Sequence, residues 1–210
     1  MDKDILLIDK PKGVTSFDVI RILRKKLGIR KMGHSGTLDP LATGLLIVGV
    51  GEGTKKLTKF VGLSKTYEAE ILLGQKTDTG DITGKVIEEK NVSVLDVNTI
   101  TKVLDEMIGT HNLPVPMYSA IKKDGKPLYD YARKGKVIEV PLKKMEIRSA
   151  HLIKLEDNTL YVYFDVSSGT YIRTLAELLA EKLGTVGTIK NLKRLSIGQY
   201  NVSDAQVIEV

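Results

Sequence analysis

Residues 5–9, ILLID, form a short continuous apolar run that predicts a buried strand. Thr15 or Ser16 then offers a hydroxyl to cap a helix. Its apolar side is marked by Ile20, Leu23 and Leu27 at helical spacing, and Gly28 is its stop signal. LLIVGV at 45–50 reads as a second buried strand, and Lys55 to Phe60 as a short helix. Alternation is clearest at 66–73, where Tyr67, Ala69, Ile71 and Leu73 share one face and Thr66, Glu68 and Glu70 the other. TDTGD at 77–81 reads as a turn. Ser93 is placed to cap a helix over 95–107, with Leu95, Ile100, Leu104 and Ile108 apolar and Gly109 at its end. From His111 to Pro141 the pattern weakens, broken by Pro114, Pro116, Gly125, Pro127 and Gly135. This predicts a largely irregular excursion with one short helix near 127–134, the kind of segment that is functional or mobile inside a compact domain. Leu160, Val162, Phe164 and Val166 alternate again over 159–166. Ser167 to Thr170 turn the chain into a helix carrying Leu175, Leu178, Leu179 and Leu183, with Gly184 at its end.

Strands and helices mix without strict βαβ alternation, and no repeat, linker or clear boundary interrupts them. The expectation is one α+β, mixed-sheet domain over 1–210 rather than a doubly wound parallel sheet. At 210 residues, with 42% hydrophobic and 28% charged positions, the chain has an ordinary globular composition. It contains no cysteine. That excludes disulfides, zinc–cysteine sites and thiol nucleophiles, and with them the zinc deaminases. MDKDILLIDK lacks the apolar region of a signal peptide, and no run approaches the roughly 18 apolar residues of a membrane helix. A soluble, cytoplasmic protein is expected. Lys plus Arg number 32 against 26 Asp plus Glu, a net charge of +6 that favours a polyanionic partner. The cations gather at Arg21, Arg24, Lys25, Lys26, Arg30 and Lys31. Further groups are Lys122, Lys123 and Lys126, then Arg133, Lys134 and Lys136, and finally Lys190, Lys193 and Arg194. Solvated faces give the same pattern.

GVGEGT at 49–54 follows a strand, but the third glycine of a dinucleotide loop would fall at Thr54. No phosphate-binding G-x-x-x-x-G-K-[ST] is present, so no nucleotide cofactor is expected. His34, His111 and His151 are scattered, and Asp78 and Asp81 fit a Gly-containing turn better than a metal site, so no metal is expected. GHSGTLDPLATG at 33–44 differs in kind: three glycines and a proline bracket one carboxylate before a hydrophobic strand. Pro40 pushes Asp39 toward extended backbone, and Gly33, Gly36 and Gly44 allow close approach. A plain turn with a hydrogen-bonding Asp would look alike.

That segment resembles the catalytic loop of the TruB family of tRNA pseudouridine synthases, and five more motifs follow the family's order. They are DKPKGVTS at 9–16, SKTYEAE at 64–70, TDTGD at 77–81, MYSAIKKDGKPLYDYARKG at 117–135 and SSGTYIRTLAELLAEKLG at 167–184. The resemblance implies the pseudouridine synthase fold, a bent mixed sheet with flanking helices and a thumb-like insertion at about 111–137. It implies conversion of uridine 55 in the tRNA T arm, without a cofactor. Asp39 is then the nucleophile, attacking at C1′ or C6 or acting through a glycal. Tyr67 stacks on the flipped uracil, and Arg173 pairs with Asp39. His34 fills the space left by the base, Tyr171 and Leu192 line the uracil pocket, and Lys10 with Pro11 supports the loop. The basic groups would contact phosphates. Thr188 stands where the family more often has histidine, and Lys193 where arginine is common. A small C-terminal RNA-binding domain, usual in relatives, is expected to be absent, which bears on binding strength and not on the catalytic assignment. A monomer is expected. Two other readings compete: a non-catalytic RNA-binding protein, against which the joint presence of Asp39, Tyr67 and Arg173 argues, and a nucleoside or glycoside hydrolase, which would want a second carboxylate.

Overall fold

The computed structural model describes residues 3–136 and 138–208. Along the chain run β1 (Ile5–Lys10), α1 (Ser16–Leu27), β2 (Met32–Ser35), β3 (Thr43–Val50), α2 (Thr58–Val61), β4 (Lys65–Leu73), β5 (Gln75–Thr77), β6 (Val86–Glu89) and α3 (Val97–Glu106). Then come β7 (Gly109–Pro114), β8 (Lys122–Lys123), β9 (Lys126–Pro127), α4 (Leu128–Arg133), β10 (Leu142–Glu156), β11 (Thr159–Val166), α5 (Ile172–Lys182), β12 (Gly187–Ile197), β13 (Tyr200–Asn201) and β14 (Gln206–Val207). Ten strands form one mixed sheet in the order β14-β1-β3-β12-β4-β11-β10-β7, with β2 on β3 and β13 on β12. This is the expected α+β class. No helix among the described residues is long and apolar enough to cross a membrane. The chain divides into two compact units, one from Met1–Glu68, Phe164–Gly169 and Asn191–Val210, the other from Ala69–Tyr163 and Thr170–Lys190.

In the first unit, β1 lies antiparallel on β3 from Ile5↔Gly49 to Lys10↔Gly44. β2 also lies antiparallel on β3, and β12 runs parallel to it at Lys193↔Thr43 and Arg194↔Gly44. Both faces of β3 are covered, which is why LLIVGV carries no polar alternate. Leu46, Val48 and Val50 pack with Ile8 and with Val19, Ile20 and Leu23 of α1. Leu45 and Ile47 pack with Ile5, Leu7, Leu57, Phe60 and Ile197. Thr15, not Ser16, caps α1: its hydroxyl accepts from Asp18 N at 3.0 Å while the Asp18 carboxylate accepts from Thr15 N at 2.8 Å, a capping box. Gly28 closes the helix at φ 69°, and Leu27, in the last turn, is exposed rather than core. Gly44 must be glycine. At φ +102° a Cβ there would lie 2.2 Å from the Arg194 carbonyl oxygen. The glycines of GVGEGT are structural too, since a Cβ on Gly53 would meet the Asp4 carbonyl at 2.1 Å.

In the second unit, β7 pairs antiparallel with β10 from Gly109↔Ile147 to Pro114↔Leu142. Asp96 caps α3 in place of the expected Ser93, accepting from Thr99 N at 3.0 Å, so Leu95 falls before the helix. The carboxylate stands at the first turn, whereas Ser93 is three residues too early to reach it. Ile100 and Leu104 are buried as expected, and Ile108 is exposed. Leu175 and Leu179 bury the apolar side of α5. The excursion from His111 is more ordered than its prolines suggest. β7 extends to Pro114, and the β8–β9 hairpin turns through Asp124 (φ 51°) and Gly125 (φ 76°). α4 then follows. Val115, Leu128 and Met145 form a small core beneath these pieces, joined by Leu113, Ile121 and Val140. Val137, the last residue of the expected insertion, lies outside the described residues.

Candidate active site

Asp39 is half-buried in the loop between β2 and β3. The loop is pinned along its length by groups of its own unit. Ser16, at the start of α1, donates its hydroxyl to Leu38 O at 3.1 Å and accepts from Leu38 N at 2.9 Å. Gly13 N donates to Pro40 O at 2.8 Å, and Ala42 N to Asp39 O at 3.0 Å. Lys10, 0% exposed, donates to Val14 O at 2.7 Å, Pro11 O at 2.9 Å and Pro40 O at 3.4 Å. Burial lowers its pKa from 10.5 to about 8. The negative charge of Asp39 opposes that fall and Arg194 adds to it.

His34 sits on β2 opposite Val48. Burial, and then the Arg194 charge, hold its pKa below the usual imidazole value, so the ring is neutral at pH 7. Its buried Nδ1 has no hydrogen-bond partner. Tyr67 lies on the buried face of β4 at 7% exposure. Leu192 is buried on β12, and its carbonyl accepts from Thr43, the first residue of β3, at 3.5 Å. Lys10, His34, Asp39, Tyr67 and Leu192 therefore all belong to the first unit.

Arg173 and Tyr171 belong to the second. Arg173 enters at the first turn of α5 and is 5% exposed. Its Nη1 donates to Thr79 O at 2.7 Å and its Nη2 to Tyr118 O at 2.9 Å. One guanidinium thus joins the TDTGD turn to Tyr118 within the insertion. The turn comes close: a Cβ on Gly80, at φ +76°, would be 3.3 Å from Arg173 Cβ. Asp81 braces the turn internally, accepting from Thr83 N at 2.9 Å and Thr79 Oγ1 at 3.1 Å. Thr188, where the resemblance leads one to expect histidine, is buried and pairs with Thr77 at 3.0 Å. Tyr171 precedes α5, packs against the Val115–Leu128–Met145 core, and lies with its ring 5.6 Å from Lys143 Nζ. Among the described residues no group of three or more His, Asp or Glu could hold a metal ion.

Two site cations escape a sequence reading. Arg194 counts with Lys190 and Lys193 as a phosphate contact, but it is 1% exposed and cannot reach a phosphate. Its Nε donates to Leu45 O at 2.7 Å and its Nη2 to Gly36 O at 3.1 Å. Lys65, two residues before Tyr67, is also buried and donates to Leu63 O at 2.7 Å and Val61 O at 2.9 Å. The signal available was register. Lys65 shares the alternate face of Tyr67, Ala69 and Ile71, and Arg194 shares that of Leu192 and Ser196.

The mixed sheet with its flanking helices has the pseudouridine synthase fold, as the likeness to solved structures shows. The chain superposes on a solved Cbf5–Nop10–Gar1 complex with TM-score 0.75 at 22% identity, covering 97% of this chain and 52% of that one. A solved pseudouridylate synthase gives TM-score 0.50 at 17% identity, covering 97% and 67%. At these identities the likeness bears on the fold alone. Residues 24–172 match the family model described as TruB family pseudouridylate synthase (N terminal domain), and the chain belongs to that family. It is 44% identical to the tRNA pseudouridine synthase B of Aromatoleum aromaticum over 96% of its length, spanning 65% of that protein. It is 41% identical to the tRNA pseudouridine synthase B of Endomicrobium trichonymphae, over 96% of this chain and 87% of that one.

Proposed function

We propose that the chain is an isomerase that converts uridine 55 in the T arm of tRNA to pseudouridine. In this reaction the N1–C1′ bond breaks, C5 of uracil bonds to C1′, the proton on C5 leaves to solvent, and N1 takes up a proton in its place. No atom is gained or lost, so the reading calls for no redox cofactor. The observation that carries it is Asp39, a half-buried carboxylate in a loop tied down at Gly36, Leu38 and Pro40. A nucleophile held in a fixed place gains rate from orientation. Extrusion of the uridine costs a few kcal/mol. Tyr67 is assigned to stack on the extruded base, a contact worth about 1–3 kcal/mol. Arg173 is assigned to favour the ionised, reactive form of Asp39. His34, Tyr171 and Leu192 are assigned to the base and its vacated space, and Lys10 to the loop. The reading extends to a monomer acting on tRNA in the cytoplasm.

The test is tRNA tritiated at C5 of uridine. Tritium release marks isomerisation, free uracil marks hydrolysis, and neither product marks a binding protein. Asp39→Asn is expected to abolish release while tRNA binding persists. Multiple turnovers by that variant would remove Asp39 as nucleophile.

A further inference from the structure

We infer that Arg194 is the positioning residue of the Asp39 loop: its guanidinium fastens the start of the loop at Gly36 to β3 at Leu45. The placement begins with backbone. β12 meets β3 at Arg194↔Gly44, and the missing Cβ of Gly44 lets the two main chains approach. The arginine side chain therefore emerges beside the turn at Gly36, which is left-handed at φ +84°. Nε reaches Leu45 O at 2.7 Å and Nη2 reaches Gly36 O at 3.1 Å. One rigid, planar group thus bonds both flanks of the segment that carries Asp39. Lys102 on α3 is exposed and bears the same charge with no part in the loop.

Energetics favour this role over a packing role. Taking a guanidinium to 1% exposure is unfavourable unless its donors are satisfied. The face-mates of Arg194 on β12, Leu192 and Ser196, are buried as well, so an apolar residue would serve packing there. What an apolar residue cannot do is hold two carbonyls nine residues apart in sequence. Ser16 at Leu38 and Lys10 at Pro40 then hold the later part of the loop, and Arg194 holds its start.

The catalytic consequence rests on the proposed function; the fastening does not. The experiment uses the whole chain with Arg194→Met, Arg194→Lys and the control Lys102→Met. Amide exchange at Leu38 and Ala42 reports the loop. Single-turnover tritium release and tRNA affinity report chemistry and binding separately. For Arg194→Met we expect loop exchange at least about tenfold faster, a rate lower by about 100-fold, and affinity within about threefold. Arg194→Lys keeps the charge and one bond and should fall between. Lys102→Met should match the parent rate. Unchanged loop exchange in Arg194→Met overturns the inference, as does faster exchange spread evenly over β3 and β12. If Arg194→Met does not fold, Arg194→Lys decides by the same loop exchange. A parent chain that releases no tritium defeats the proposed function, while the exchange comparison still decides the fastening.

Discussion

Raising the pH through 8 removes the proton from Lys10, because burial brings its pKa from 10.5 down to about 8. The folded value lies below the unfolded one, so between them the unfolded chain binds more protons and stability rises with pH. The span corresponds to about 3 kcal/mol, gained as pH climbs from 8 to 10.5. Activity should move the other way. The ammonium donates to Val14 O at 2.7 Å and Pro40 O at 3.4 Å, and its charge stands near Asp39. A neutral amine makes these bonds more weakly by roughly 1–2 kcal/mol, which loosens the loop. The single-turnover rate should therefore fall above pH 8 with the slope of one proton, while urea unfolding shows a firmer fold. Lys10→Met removes the titration. Its rate should be low at pH 7, and its stability should lack the Lys10 rise. Ionisation of the uridine is common to both proteins and cancels in their ratio. Parallel profiles for the two proteins, in rate and in stability from pH 7 to 9.5, would refute the reasoning.

Arg173→Lys should cut the single-turnover rate by about 100-fold, because one ammonium cannot replace a fork bonded to Thr79 O and Tyr118 O; near-parent turnover would detach Arg173 from the reaction. Tyr67→Phe keeps a stacking ring and loses only the hydroxyl, so turnover should suffer while tRNA affinity stays within about threefold; equal losses would make Tyr67 a binding residue. Described amides of the insertion, residues 111–136, should exchange rapidly in the free protein and slow on adding tRNA, and equal protection in both states would exclude a closing thumb.

Elements with a clean period were legible in the sequence. β4 and β11 alternate without a break, and α1 carries its cap, its stripe and its terminal glycine in order. β10 was not legible. Its buried positions run Met145, Ile147, Ala150, so the alternation slips by one and the charged residues between them read as surface. β2 was hidden inside the glycine-rich motif, where Gly33, His34 and Ser35 read as loop although they pair with Gly49, Val48 and Ile47. The proline-rich stretch misled in the opposite sense. Breakers mark where elements end, not whether short ones exist between them, and here they bound β7 and a hairpin besides α4, the one short helix the sequence did predict.

At the site the difficulty is electrostatic. Local sequence names the carboxylate because Gly, Pro and Asp shape their own loop. It does not name what the loop is tied to, because Lys10, Ser16 and Arg194 arrive from β1, α1 and β12. A charge count assigns every cation to solvent by default, and for most of them that is right. Lys10, Lys65 and Arg194 depart from it together, each buried and each bonded to backbone carbonyls. Burying three cations near one loop is costly unless each is held by such bonds. A single deletion should then act through the loop's geometry more than through the sum of charge. Hence Lys10→Met and Arg194→Met, which remove the same charge, should free different parts of the loop: Pro40 in the first, Gly36 in the second. Exchange at Leu38 and Ala42 that responds identically to both would show that charge, not attachment, is what the buried cations supply.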